Sequence, residues 1–176
     1  AIRASGCAVA HCPGSNAKLG HGVAPLTEFL EAGIRVGLGS DSVASHNRMS
    51  ILGEACLAAL QQRARVQRPD AVPAARALRL ATIDGARALG LDAEVGSLEV
   101  GKSADLAAFP LDERLGPVHD VESAVVFTLN AVPASLVTVA GSVRVRDGVV
   151  VDRDPGLPAR VQRAADALQR WLADRP

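Results

Sequence analysis

Two short polar segments hold the side chains most able to do chemistry. The first, residues 11–16, follows a small apolar run at 7–10, and the second, residues 40–42, follows an apolar run at 34–39. Imidazole and carboxylate groups bind divalent metals and move protons, while Ser and Asn side chains hydrogen-bond polar ligands. Together the segments supply candidates for a metal ligand, a proton carrier and a substrate contact.

The pattern of elements predicts that these two segments lie side by side. Each apolar run is typical of a buried strand that ends in a loop. Between them, Pro25 suits a first helical position and Gly33 a helix end. Leu26, Phe29 and Leu30 share the face of this helix. Strand, helix and strand form a βαβ unit, whose strands are parallel in nearly all cases, so both polar segments should lie at the same edge of one sheet.

Asp41 is the first candidate for catalysis. Side chains alternate across a strand, so bulky Val36 and Leu38 lie on one face, and Gly37 and Gly39 share the other with Asp41. If that second face lines a barrel, Asp41 stands at the carboxyl-terminal mouth, where barrel enzymes place catalytic groups. The alternative is a helix or turn cap, which Ser-Asp-Ser clusters often provide, and spacing alone favours the cap.

The segment that begins at His11 has the same ambiguity. His11 could bind a metal or a substrate, and Ser15 and Asn16 could hydrogen-bond a ligand, but a lone histidine at a strand end is more often a structural group. The other three histidines form no HxH or HExxH pattern, and Cys12 lacks the PCxxC and HxE signatures of the cytidine-deaminase type of zinc enzyme. Phosphate-loop, dinucleotide-binding and nucleophilic-serine motifs are also absent from the sequence.

The rest of the chain is predicted to hold helices and then short strands. Helices are expected at about 50–65, at 74–89 with a break near 82–85, and at 158–173. In the last of these, apolar residues recur at helical spacing, so the helix should pack back on some other surface. Strands are expected at 104–109, 123–129, 136–139 and 142–151. These patterns divide the chain into residues 1–90, a small mixed-β section at 91–157 and a terminal helix at 158–176.

Composition limits the class of protein and its partners. Hydrophobic residues make up 48% of the chain, yet it has only three Phe, one Trp and no Tyr, so the core must consist of Ala, Val and Leu. Such a core suits parallel strands packed under helices.

A formal net charge of +0, with no apolar run near the roughly 20 residues of a membrane helix, argues against nucleic acid or membrane partners and favours a small polar substrate. Three cysteines without a CxxC pair favour reduced thiols and a cytoplasmic location.

Three segments together resemble the amidohydrolase superfamily, in particular its clade of guanine, S-adenosylhomocysteine, methylthioadenosine and aminodeoxyfutalosine deaminases and triazine chlorohydrolases. The clade's seventh barrel strand and loop resemble residues 9–26, VAHCPGSNAKLGHGVAPL. Its eighth strand, with an aspartate, resembles residues 33–52, GIRVGLGSDSVASHNRMSIL. The superfamily's junction between barrel and β-sandwich is similar to residues 81–109, ATIDGARALGLDAEVGSLEVGKSADLAAF.

The resemblance implies both fold and chemistry. The fold class would be α/β: the last two βα units of a (β/α)8 TIM-type barrel, part of a small β-sandwich at 91–157, and a terminal helix. Asp41 would bind a divalent metal, zinc or else iron, take a proton from the attacking water and deliver it to the leaving group. Asn16, Ser15, Ser42 and His11 would contact the substrate.

The implied reaction is the hydrolytic deamination of a purine-like or other nitrogen-heterocyclic small molecule. The SDSVAS segment looks most like adenosine-derivative deaminases. We also expect the full-length protein to be a homo-oligomer.

The sequence also departs from the family pattern. The family's HxH pair, its single histidines on the fifth and sixth strands and its acidic glutamate are not matched, so we expect six barrel strands to lie outside these residues and the chain alone to bind metal poorly. His46 stands where relatives often carry Asn. Two rivals stay open: hydrolysis of another bond, such as a cyclic amide or a carbon–halogen bond, and a non-catalytic remnant whose open sheet edge is covered by another chain.

Overall fold

The first half of the molecule is built around two short parallel strands. The structure is a computed structural model that describes residues 1–111 and 116–175. Strands β1 (Val9–His11) and β2 (Val36–Leu38) pair in parallel, with Val9 opposite Val36 and His11 opposite Leu38. The predicted parallel arrangement is confirmed, although each strand is shorter than the apolar run that predicted it.

Helices make up most of the chain before residue 90 and return at its end. Their bounds are α1 Ile2–Ser5, α2 Pro13–Leu19, α3 Leu26–Glu31, α4 Val43–His46, α5 Ile51–Val66, α6 Ala74–Leu80, α7 Ile83–Leu89, α8 Val121–Ser123 and α9 Leu157–Ala173. The helix predicted at 74–89 is two helices, which separate at Ala81 and Thr82.

Small apolar side chains form the core, as the composition predicts. Helix α5 contributes Ala55, Ala58 and Ala59, all fully buried, and these contact Val36 of β2 and Leu80 of α6 within one cluster. Alanine faces let helices approach closely, while a fully buried leucine or valine contributes about 1.5–3 kcal/mol to folding. This cluster holds the strand pair against α3, α5 and α6.

Helix α7 crosses β2 at Gly37. A Cβ atom at Gly37 would lie 2.9 Å from the Cα of Gly85 in α7, so only glycine lets these two backbones come so close. The strand face of Gly37, one of the two faces that could have lined a barrel interior, is therefore covered by α7 at this level. Asp41, beyond the end of the strand, is exposed.

A second sheet follows residue 105. Its strands, β3 Leu106–Ala108, β4 Leu136–Val139, β5 Ser142–Arg146 and β6 Val149–Val150, are antiparallel and pair in chain order. The single strand predicted at 142–151 is a hairpin, because Asp147 and Gly148 both have positive φ, at 51° and 77°, and turn the chain. Within the described residues this section is one sheet, and neither sheet closes into a barrel.

The strand predicted at 123–129 is wrong. The chain there is helical: α8 continues into a π-helical turn, Ala124–Thr128, and a 3-10 turn, Leu129–Ala131. The β-branched residues suggested a strand, but Val126 and Leu129 lie three positions apart and are both buried. Burial on a helical face outweighs strand propensity, which depends strongly on context.

Helix α9 is present as predicted, and the prediction that its apolar face packs against another part of the protein stays a prediction. None of its residues is buried, and its large apolar side chains are about half exposed: Leu157, Val161, Leu168, Trp171 and Leu172. The Arg175 guanidinium covers part of the Trp171 ring, 3.5 Å from its centroid.

In the part of the chain that the structure describes, no helix is both long and apolar enough to span a membrane. The proposed division at residues 90 and 157 stays a prediction.

The contact between β2 and α7 is testable by substitution. We expect Gly37→Ala to lower the free energy of unfolding by about 1–3 kcal/mol, because the added methyl group meets backbone atoms that cannot rotate away. The matched control is Gly156→Ala, where the nearest atom, 3.3 Å away, is the flexible Asp154 Oδ1. Urea unfolding midpoints measure both, and equal stability of the two variants would contradict the contact.

Candidate functional site

The segment after β1 is a helix and not the predicted loop. Helix α2 starts at Pro13, whose ring suits the first helical turn, and Asn16 N donates to Cys12 O at 3.1 Å. Ser15 thus lies in the first turn of α2 and is buried, with 4% of its surface exposed. A short strand followed at once by a helix fixes the direction of this side chain more firmly than a loop would.

Asp41 follows β2 with an unusual backbone conformation. Its φ of 57° is in the left-handed region, which Asp tolerates better than most residues. The next residue, Ser42, caps α4, because its Oγ accepts from Ala44 N at 3.1 Å. The capping role that the Ser-Asp-Ser spacing suggests therefore belongs to Ser42 at this helix, and Asp41 precedes the cap.

A hydrogen bond joins the two polar segments. Ser15 Oγ donates to Asp41 Oδ2 at 2.7 Å, across the edge where β1 and β2 both end. Hydrogen bonds from Ser15 first, then from the Ser45 hydroxyl and the Ser42 backbone, hold the pKa of Asp41 below its ordinary value. Asp41 is therefore an exposed, oriented carboxylate that is ionised at neutral pH and suited to a cation.

The other predicted contacts lie near this edge in different environments. His11, at the end of β1, is 3% exposed, and its burial lowers its pKa to about 4, so it is neutral at pH 7. Its Nε2 has no hydrogen-bond partner among the described residues. Asn16 is half-buried in α2, and Ser42 is exposed at the start of α4. The substrate-binding roles of these three residues and of Ser15 stay predictions.

A buried acid that the sequence reasoning missed lies beneath this edge. Glu54 of α5 is 1% exposed, accepts from Gly14 N at 2.7 Å and contacts His46 Nε2 at 2.9 Å. One signal was available: Glu54 shares a helical stripe with the buried Ala55, Ala58 and Gln62, where an acid without partners would be costly. Spacing, however, could not identify its partners.

The described residues offer one anionic candidate for a metal ligand. Among residues 1–111 and 116–175, no three His, Cys, Asp or Glu side chains are grouped as a metal site. Burial and the nearby carboxylates of Asp41 and Glu54 raise the pKa of Cys12, so its thiol stays protonated and is a weak ligand at neutral pH. The exposed, ionised carboxylate of Asp41 fits one position of a divalent-metal site, and further ligands must come from other residues.

Comparison with known proteins identifies the class. Residues 1–150 match the sequence profile described as the Amidohydrolase family. A 5-methylthioadenosine/S-adenosylhomocysteine deaminase from Moorella thermoacetica is 42% identical over 147 residues, which are 83% of this chain and 34% of that protein.

Two solved structures share the fold. An adenosine deaminase from Xanthomonas campestris with bound zinc superposes with a TM-score of 0.88 at 33% identity, over 93% of this chain and 38% of the other. Atrazine chlorohydrolase TrzN from Arthrobacter aurescens, complexed with zinc, gives a TM-score of 0.81 at 36% identity, over 94% of this chain and 36% of the other.

These matches settle the family and the extent of the likeness. The fold is a mixed α/β unit that corresponds to part of a TIM-barrel hydrolase. The chain belongs to the amidohydrolase family, and it spans about a third of the length of the relatives it matches.

The burial of His11 predicts how stability depends on pH. The unfolded chain binds a proton near pH 6.5, but the folded chain does so only near pH 4. The contribution of neutral His11 to the free energy of unfolding is therefore fully present above pH 6.5. It is lost as the pH drops toward 4, by up to roughly 3 kcal/mol. Urea unfolding at several pH values between 7.5 and 4 should show this loss, and His11→Phe should remove it. His21→Phe is the control because His21 is exposed; an identical pH dependence in His11→Phe and the unsubstituted chain would refute the assignment.

Proposed function

We propose that a full-length protein containing these residues is a metal-dependent aminohydrolase that deaminates a purine-like or other nitrogen-heterocyclic small molecule. The observation that carries the proposal is the Ser15–Asp41 hydrogen bond of 2.7 Å, which orients an exposed carboxylate where two parallel strands end. Barrel hydrolases place catalytic groups at this end of their strands. The predicted cytoplasmic location and homo-oligomeric state go with this proposal.

The proposed chemistry gives Asp41 two tasks. A divalent ion, zinc as in the structural relatives or else iron, would supply acidity to a water bound to it by lowering the pKa of that water to about 7. Asp41 would contribute one carboxylate ligand to such an ion and would accept a proton from the attacking water. It would then deliver that proton to the departing amino group, while the second proton of the water ends on the ring nitrogen, so that N=C–NH2 and water become HN–C=O and ammonia.

The choice of substrate rests on the relatives. The 42% identical protein from Moorella is a 5-methylthioadenosine/S-adenosylhomocysteine deaminase, and the structural relative from Xanthomonas is an adenosine deaminase. The three substrates in these two names, 5-methylthioadenosine, S-adenosylhomocysteine and adenosine, each carry an adenine base, and a deaminase removes its amino group. An adenosine derivative is therefore the substrate we propose first, with Ser15, Asn16, Ser42 and His11 as candidate contacts.

A second function is favoured by one specific observation. The chain also superposes on atrazine chlorohydrolase with a TM-score of 0.81 and 36% identity. The residues described here would activate water and do not select the leaving group, so hydrolysis of a carbon–halogen bond or a cyclic amide is the alternative. A non-catalytic remnant is the third reading, since the described residues hold one metal-ligand candidate and no complete site.

Substitution of Asp41 tests the proposal directly. In a full-length protein that contains these residues, Asp41→Asn should lower zinc content and reduce kcat by roughly 100-fold or more, the usual contribution of a positioned proton carrier. The asparagine carbonyl can still accept from Ser15, so the unfolding midpoint should hardly change. Asp70→Asn is the control, because Asp70 pairs with Arg68 at the exposed surface, where ion pairs are worth little. Full activity of Asp41→Asn would rule out the assigned role.

Product analysis separates the three readings. The same protein is assayed with 5-methylthioadenosine, S-adenosylhomocysteine, adenosine, a chlorotriazine and a cyclic amide. Release of ammonia from the adenosine derivatives supports the deaminase. Release of chloride, or opening of the amide ring, supports the alternative hydrolase. Metal bound without any turnover, or no metal at all, points to the remnant.

A further inference from the structure

Glu54 connects the two segments that meet at Asp41. It lies in the first turn of α5, and only 1% of its surface is exposed. Its Oε2 accepts from the Gly14 backbone N–H at 2.7 Å, and its Oε1 lies 2.9 Å from His46 Nε2. Both oxygens of a buried carboxylate are thus engaged, as its burial requires.

The two partners of Glu54 belong to the two halves of the proposed site. Gly14 directly precedes Ser15 in α2, and His46 ends α4, the short helix that begins just after Asp41. Ser15 in turn donates to Asp41 at 2.7 Å. A closed path of contacts therefore runs from Glu54 through Gly14 and Ser15 to Asp41, and back through α4 and His46.

The path is closely packed at Gly14. A Cβ atom at Gly14 would lie 2.5 Å from Glu54 Oε1 and 2.6 Å from His46 Cδ2. The backbone of α2 therefore rests directly on these two side chains. We expect a change in either one to shift the turn that carries Ser15, because close-packed interiors transmit small displacements.

We propose that Glu54 is a positioning residue, which acts through the Gly14 amide and His46 to hold Ser15 against Asp41 and so sets the direction of the Asp41 carboxylate. This inference rests on the proposed function of Asp41. Groups behind a metal ligand orient it, and their loss typically costs 10–100-fold in metal affinity or activity. The competing interpretation is a buried polar pair that only stabilises the fold.

Substitution of His46 opens the path at one point. His46→Leu removes the Nε2 partner of Glu54 with a side chain of similar size, and His46 Nδ1 has no partner among the described residues to lose. His46→Gln keeps a nitrogen near the position of Nε2. In a full-length protein containing these residues, we expect His46→Leu to lower kcat and zinc affinity by about tenfold or more, with little change in KM. His46→Gln should restore most of both.

A control on the same helix separates positioning from stability. Gln62 is fully buried in α5, donates to Ala24 O at 2.8 Å and accepts from Arg65 Nε at 3.2 Å, so Gln62→Leu removes the hydrogen bonds of a buried side chain away from Asp41. Gln62→Leu should lower the urea midpoint while the folded protein keeps its kcat and zinc affinity. A His46→Leu variant that behaves in the same way would overturn the proposal.

A crystal structure of each variant gives a readout that does not depend on activity. The Ser15–Asp41 hydrogen bond should be lost in His46→Leu and retained in His46→Gln. If it is unchanged in His46→Leu, Glu54 and His46 do not position Asp41, whatever the activity. If it is lost but the unsubstituted protein binds no zinc and deaminates nothing, the proposed function fails while the geometric link holds.

Glu54→Gln is the second variant should His46→Leu not fold. It keeps the shape of the side chain and offers Gly14 N a weaker, uncharged acceptor. We expect a smaller loss of kcat, about threefold to tenfold, with a longer Ser15–Asp41 distance. An unchanged kcat together with an unchanged distance would refute the positioning role.

Discussion

The parallel pairing of β1 and β2 is the constraint on which the site depends. Because Val9 pairs with Val36 and His11 with Leu38, the chain leaves both strands at the same edge of the sheet. An antiparallel pair would place the two polar segments at opposite ends. Each strand has only three residues, so backbone hydrogen bonds alone hold this arrangement weakly. The alanine-rich core and the close approach of α7 at Gly37 must supply the rest of the rigidity.

Buried polar groups convert that proximity into a fixed geometry. Ser15 is buried while Asp41 is exposed, so the hydrogen bond between them is anchored from the interior side. Glu54 and His46 contact each other below this hydrogen bond, in the interior, where an unpaired polar group would be costly. A carboxylate that is oriented before a cation arrives loses less conformational freedom on binding, which favours affinity. The fold thus orients the Asp41 carboxylate, which is the one ligand that the proposed metal site would take from these residues.

Much of the fold could be predicted because local patterns and tertiary burial agree. The βαβ unit, the long helix α5 and the break between α6 and α7 all follow from apolar spacing and helix-end signals. The helical structure of the segment at 123–129 could not be predicted, because its valines fit a strand pattern locally. In the structure, Val126 and Leu129 are buried on a helical face. Helix α2 was missed for a related reason. Its first residues, Pro and Gly, signal a turn until tertiary contacts are known.

The sequence predicts only those residues of the candidate site whose positions follow from the order of strands and helices along the chain. Asp41 could be predicted because it comes directly after one strand, and Ser15 because it comes soon after the neighbouring strand. Parallel pairing of the two strands is enough to bring these side chains together. Glu54 differs, because its partner Gly14 is 40 positions away and becomes a donor only when α2 forms against α5. An acid in an apolar helical stripe shows that some partner must exist, since its burial is otherwise too costly. Which partner it is depends on the packing of three helices, and that packing also decides whether the acid merely stabilises the fold or orients the carboxylate above it.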